Sequence, residues 1–314
     1  MRVGLIDVDG HNFPNLPMMK ISAWHKRRGD IVNWYSGFDG WYDVVYKSKV
    51  FDFTAEETEE INAGRVVRGG TGYGLKNELP YEIEHIYPDY GLYPDLTKDV
   101  AYGFLTRGCP RGCKFCIVGE KEGRCARHVA YLTEFWRGQK HVKLLDPNLL
   151  SCTKWRFVLD ELITCGAWID FTQGLDIRFM TKEKAELINR IKVKMIHFAW
   201  DNYEFRTYEL LKKYRDRFQL DERRIRVYVL TNFNTTHEQD LDRVYKLQEM
   251  DYDPYVMIYD KQNATKRTRQ LQRWVNNKFI YRSCPNFKDY LRDGVGYLKS
   301  TDEDENQLTL FDVI

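Results

Sequence analysis

Three cysteines within eight positions carry the densest chemistry in this chain: Cys109, Cys113 and Cys116, in the run Thr106-Arg107-Gly108-Cys109-Pro110-Arg111-Gly112-Cys113-Lys114-Phe115-Cys116. Thiolates spaced C-x3-C-x2-C on a turning loop can hold three corners of a four-iron cluster, and Gly108 and Gly112 permit the tight backbone of such a wrap. No fourth cysteine lies close by, which leaves one iron able to bind a small molecule. A structural zinc asks instead for a fourth Cys or His, typically in a second pair. The other cysteines, Cys125, Cys152, Cys165 and Cys284, are scattered. Cys152 at a helix start and Cys165 on an amphipathic helix read as small buried hydrophobes. Cys125, flanked by Arg124 and Arg127, also admits a role as an extra ligand or reactive thiol.

The elements that must position these residues follow from the apolar periodicity. From residue 101 onward, strands are expected at Tyr102–Thr106, His141–Leu145, Trp168–Phe171, Met195–Ala199, Arg226–Leu230 and Tyr255–Tyr259. Amphipathic helices near 153–165, 182–191, 204–216 and 237–250 separate them. Strands joined by helical crossovers make a parallel sheet, and six such units make a partial (β/α)6 barrel with its chemistry at the carboxyl ends of the strands. The cysteines directly follow the first strand. Gln173, Asp176 and Arg178 follow the third, Asp201 the fourth and Asn232 the fifth, at the height where a ribose or carboxylate would be bound. Each also reads as a capping or turn residue.

Ahead of the barrel, strands at Arg2–Val8, Ile31–Tyr35, Tyr42–Tyr46 and Arg65–Val67 and a helix over Leu16–Arg27, stopped by Gly29, imply a small Rossmann-like parallel-sheet domain. The expected organisation is an α/β chain: residues 1–76 this domain, 77–100 a linker, 101–285 the barrel and 286–314 a tail. Gly70-Thr71-Gly72-Tyr73-Gly74 lacks the lysine and helix of a phosphate loop.

Composition sets the outer bounds. The 314 residues are 43% apolar and 30% charged, ordinary for a soluble globular protein, and 48 basic against 46 acidic residues give +2, no general pull toward nucleic acid or membrane. No apolar run reaches the length of a membrane span and Met1 leads straight into strand sequence, so the expectation is a cytoplasmic protein. Lys261–Arg282 holds seven basic residues and no acidic one, on a helix over Ala264–Asn276. Such a helix either meets a nucleic-acid backbone or covers the open barrel edge and shows its charges to water.

The cysteine motif, with an aromatic before the third cysteine, resembles the signature of the radical S-adenosylmethionine superfamily, over roughly residues 101–285. The resemblance implies a 4Fe-4S cluster on Cys109, Cys113 and Cys116 and an open iron that binds the amino and carboxylate groups of S-adenosylmethionine. A low-potential electron donor of flavodoxin or ferredoxin type would then drive its cleavage to methionine and a 5′-deoxyadenosyl radical. In that family a glycine-glycine-glutamate-like stretch after the second strand holds the cofactor's amino group. Here the stretch is Leu145-Asp146-Pro147-Asn148, where Asp146 or Asn148 would substitute.

Residues 1–75 resemble a shortened cobalamin-binding domain. Asp9-Gly10-His11-Asn12-Phe13-Pro14 keeps the aspartate and histidine of the cobalt-ligating stretch but sets Pro14 where glycine is expected, which argues against His11 as a strong ligand. Gln307-Leu308-Thr309-Leu310-Phe311, after the acidic run Asp302–Glu305, resembles the peptide by which bacterial proteins dock on the sliding clamp. Two functions stay open on these residues: a radical enzyme on an unidentified substrate, with a nucleic-acid-related one among the candidates, or a non-catalytic iron–sulfur or zinc module associated with DNA.

Overall fold

The computed structural model describes residues 1–10, 12–56 and 60–292. The first four strands, β1 (Arg2–Asp7), β2 (Ile31–Trp34), β3 (Val44–Ser48) and β4 (Val66–Gly69), form a wholly parallel sheet in the order β2-β1-β3-β4. The helix Leu16–Arg27 crosses from β1 to β2. Asn15 caps it by accepting the Met18 N–H, Pro17 opens it, and its last turn is basic, against the negative end of the helix dipole. Gly29, at φ 81°, makes the left-handed turn out of it. Among the described residues of this sheet domain no other helix crosses over, and the later connections are loops rather than the expected helices.

Residues 77–100 hold three short helical turns, Tyr81–Glu84, Tyr90–Leu92 and Pro94–Thr97. These turns dock on both domains. Ile83 is buried against the first sheet's core, Lys20 pairs with Glu84 at 2.9 Å, and the Ser22 hydroxyl donates to Asp89 at 2.6 Å. On the other side the Tyr90 hydroxyl donates to the Phe135 carbonyl at 2.6 Å.

The second sheet contains β5 (Val100–Gly103), β8 (His141–Leu144), β9 (Trp168–Phe171), β10 (Val193–Ala199), β11 (Ile225–Thr231) and β12 (Asp253–Ile258). All six run parallel in the order β12-β11-β10-β9-β8-β5, an open barrel with β5 and β12 as edges. Between β5 and β8 a small antiparallel ribbon, β6 (Thr106–Arg107) with β7 (Arg127–His128), pinches off the cysteine loop. Residues two apart on a strand share a face. Val142, Leu144, Ile169 and Phe171 accordingly pack against Val158, Leu159 and Leu162 of the helix Trp155–Cys165, while Lys143 and Asp170 face the inside of the barrel.

The basic stretch forms the helix Lys266–Asn276, which lies on the β12 edge with Leu271, Trp274 and Val275 buried. Asn276 accepts the Val256 N–H at 2.9 Å and donates to the Val256 carbonyl at 3.0 Å, and Lys278 donates to the Pro254 carbonyl at 2.7 Å. The outward backbone groups of Pro254 and Val256, in the middle of the edge strand, are thereby satisfied, which hinders pairing with another chain. Among the described residues no helix is long and apolar enough to cross a membrane.

Candidate cluster site

The cysteine loop is held by its own backbone and by one carboxylate. Cys109 N–H donates to the Gly123 carbonyl and Cys116 N–H to the Cys113 carbonyl, both at 3.1 Å. Gly108 stands at φ 90°, and a Cβ there would run into the Cys125 carbonyl. Gly112, at φ 60°, has the Arg124 guanidinium where a side chain would begin. Below them Asp146, buried at the end of β8, accepts the N–H groups of Leu105 and Thr106 and, at 2.7 Å, the Thr106 hydroxyl. Burial pushes its carboxyl up to about 6, against the pull of those donors. Its carboxylate is therefore engaged with the root of the loop.

Asn148 reaches the sulfur. Its Nδ2 donates to Cys109 Sγ at 3.3 Å and lies 3.4 Å from Asp176 Oδ2, while its buried Oδ1 has no hydrogen-bond partner. Asp176 caps the short turn Ile177–Phe179 by accepting the Arg178 N–H, takes the Arg178 Nε at 2.6 Å, and lies 3.8 Å from the Arg111 Nε. Asp201, at the end of β10, completes the group. Burial pushes its carboxyl up to about 6, with Arg178 and Arg243 pulling the other way. Burial also raises the Cys113 and Cys116 thiols, and the nearby Asp201 charge adds to both. The structure thus gathers Asn148, Asp176, Arg178 and Asp201 around the cysteines. Gln173 stands half-buried after β9, and Asn232, at φ 60°, donates to the Asp260 carbonyl at 2.9 Å, tying the ends of β11 and β12.

Three thiols, a donor to sulfur and a loop shaped by two positive-φ glycines fit a cluster held at three corners. Among the described residues no three His, Cys, Asp or Glu side chains converge on one metal ion, the three cysteines included. Thiolates on separate corners of a cluster need not converge on a point. Cys152 is buried, the Cys165 thiol donates to the Leu162 carbonyl at 3.2 Å, and Cys125 is exposed.

The sequence reading missed Arg243. It is fully buried on the helix His237–Glu249 and donates to the carbonyls of Trp200, Asp201 (3.1 Å) and Leu230 (2.7 Å) while paired with Asp240 at 2.5 Å. It clamps the carboxyl ends of β10 and β11 and thereby the backbone of Asp201. The available signal was Asp240 and Arg243, one turn apart on the face that also carries Val244 and Leu247. Inside the barrel His197 accompanies Lys143 and Asp170. Burial pushes it down to about 4, and its Nδ1 lies 3.0 Å from the Phe171 carbonyl, the tautomer with hydrogen on Nδ1. His11 and the segment Gln307–Phe311 lie outside the described residues.

No family model and no curated protein matches this chain. Among solved structures it is similar to the radical S-adenosylmethionine methyltransferase TsrM from Kitasatospora setae with cobalamin and a [4Fe-4S] cluster bound. That likeness has a TM-score of 0.56 at 11% identity, over 82% of this chain and 74% of that one. TsrM with tryptophan and a SAM analogue bound gives 0.57 at 11% identity, over 82% and 72%. Streptococcus suis SuiB bound to S-adenosylmethionine reaches only 0.39 at 12% identity, over 59% and 44%. The chain has the fold of a radical S-adenosylmethionine enzyme, an open parallel barrel with a Rossmann-like domain ahead of it.

Proposed function

We propose that this chain is a radical S-adenosylmethionine enzyme. One observation carries the reading: the three-cysteine loop stands at the carboxyl end of the first strand of a six-stranded open parallel barrel, the fold it shares with TsrM. Cys109, Cys113 and Cys116 would hold a 4Fe-4S cluster, which when bound supplies the electron that splits S-adenosylmethionine into methionine and a 5′-deoxyadenosyl radical. The chain's own residues do the rest. Asp146 fixes the root of the loop, Asn148 donates to the Cys109 sulfur, and Arg178, oriented by Asp176, stands ready for the cofactor's carboxylate. The buried Asp201, held by Arg243, would take a ribose hydroxyl or the amino group.

Around the cysteine loop Lys114, Arg124 and Arg127 are exposed, and Glu120 is the one exposed acid between residues 108 and 128. A low-potential donor of flavodoxin or ferredoxin type, with an acidic face, complements that charge. Its reduction rate should fall with salt.

The test is release of 5′-deoxyadenosine by the anaerobically reconstituted protein with a low-potential reductant. Replacing Cys109, Cys113 or Cys116 by Ala should abolish it, while Cys152→Ala should retain it. A triple-cysteine variant that still released 5′-deoxyadenosine would sink the proposal. The substrate is unidentified. Its link to nucleic acid rests on the clamp-like tail sequence alone.

A further inference from the structure

We infer that the N-terminal sheet closes on itself and holds no cobalamin, unlike the similar structure that has it bound, and that its leading loop instead contributes Phe13 to the barrel. In an open parallel sheet a ligand sits outside the carboxyl ends of the strands, where the strand order turns back. In the order β2-β1-β3-β4 that place lies between β1 and β3.

The chain's own side chains occupy it. Asp7, at the end of β1, accepts from Asn15 at 3.1 Å and from the Tyr93 hydroxyl at 2.5 Å, and Asn15 also donates to Ser48 at the end of β3 at 2.9 Å. Asp9 is the carboxylate that the cobalt-ligating stretch would set beside its imidazole. Here it binds the loop after β3, accepting the Val50 N–H and the Thr54 hydroxyl, both at 2.5 Å. The loop after β4 closes from the far side. A Cβ on Gly70 would overlap the Lys49 carbonyl, and one on Gly72 would stand 2.7 Å from the Phe51 carbonyl. Glu56 fastens the two loops together, with Lys47 at 2.9 Å, Lys49 at 3.3 Å and the Tyr73 hydroxyl at 2.8 Å.

A nucleotide tail entering between these loops would have to break the contacts of the half-buried Asp7, Asp9 and Glu56 and leave the buried Asn15 short of its partners. The same first loop delivers Phe13 to the barrel. Its ring meets Tyr102 edge-on at 5.2 Å, and the Lys143 ammonium lies 5.7 Å from its centroid. The domain thus sets an aromatic ring against Tyr102 and Lys143 of the barrel strands, and the chemistry proceeds without a cobalt methyl carrier.

The experiment incubates the full-length, anaerobically reconstituted protein with hydroxocobalamin, desalts it and reads the visible spectrum, with 5′-deoxyadenosine release measured on the same sample. No corrinoid should be retained, and release should be the same with and without it. Stoichiometric retention overturns the inference. Retention is read whether or not the cluster cleaves S-adenosylmethionine, so a failure of the radical reading is seen separately. Hydrogen exchange supplies a second arm. The Val50 amide should be protected and lose that protection in Asp9→Ala, whereas free exchange in the unaltered protein overturns the closed crevice.

Discussion

Asn148 lends its N–H to the Cys109 sulfur, and the account depends on that contact. Asn148→Leu keeps the volume, removes the donor to Cys109, and also removes the Oδ1 that is buried without a partner. Partners of metal ligands typically contribute about 10–100-fold to metal retention or activity. The variant should therefore lose iron about tenfold faster while its melting temperature stays level or rises. A large fall in melting temperature with iron retained would mean that Asn148 is only a packing residue. Asp146 and His197 give a pH test in the metal-free protein. Asp146 titrates near 6 when folded and about 3.9 when unfolded, so the folded chain binds the extra proton and its stability is lost as pH rises through that window. His197 is pushed down to about 4, so its contribution is lost as pH falls from about 6.5. The two slopes oppose each other. Asp146→Asn should unmask a steeper rise in stability from pH 4 to 6, by about 2 kcal/mol, read from denaturant midpoints. An unchanged slope would contradict the assignment.

At the scale of elements, apolar periodicity marked out the helix Leu16–Arg27 and the strand Trp168–Phe171 to the residue, and six parallel strands for the barrel. The expected strand Tyr102–Thr106 divides in two. β5 ends at Gly103, whose Cβ position is filled by the Phe135 ring, and Thr106 pairs instead with His128. The apolar run read straight through because the ring that stops it comes from 32 positions further on. Of the site, the cysteines were legible because a loop encodes its own ligands. Asn148 on Cys109 and Arg243 beneath Asp201 were not, since both contacts join distant segments. Arg243→Met leaves three carbonyls without this donor and the buried Asp240 with only the Thr235 hydroxyl, which should cost about 3–5 kcal/mol. Thermal or denaturant unfolding measures it, and a loss under about 1 kcal/mol would show that the clamp is not needed.

For the whole molecule, the structure joins two parallel sheets through residues 77–100 and sets the cysteine loop where the barrel opens. Whether the proposed chemistry takes place near DNA depends on Gln307–Phe311. If that segment docks on a bacterial sliding clamp, binding should be micromolar, about −8 kcal/mol. Leu310→Ala with Phe311→Ala should abolish it without altering S-adenosylmethionine cleavage. Tight binding by the double variant would remove the tail from the account. The central claim is an iron left open by three cysteines, and the most direct measurement is electron paramagnetic resonance of the reduced, anaerobically reconstituted protein with and without S-adenosylmethionine. The account requires a [4Fe-4S]+ signal that shifts when S-adenosylmethionine is added and is absent from the variant lacking Cys109, Cys113 and Cys116. A signal indifferent to S-adenosylmethionine, or one that survives loss of the three cysteines, would contradict it.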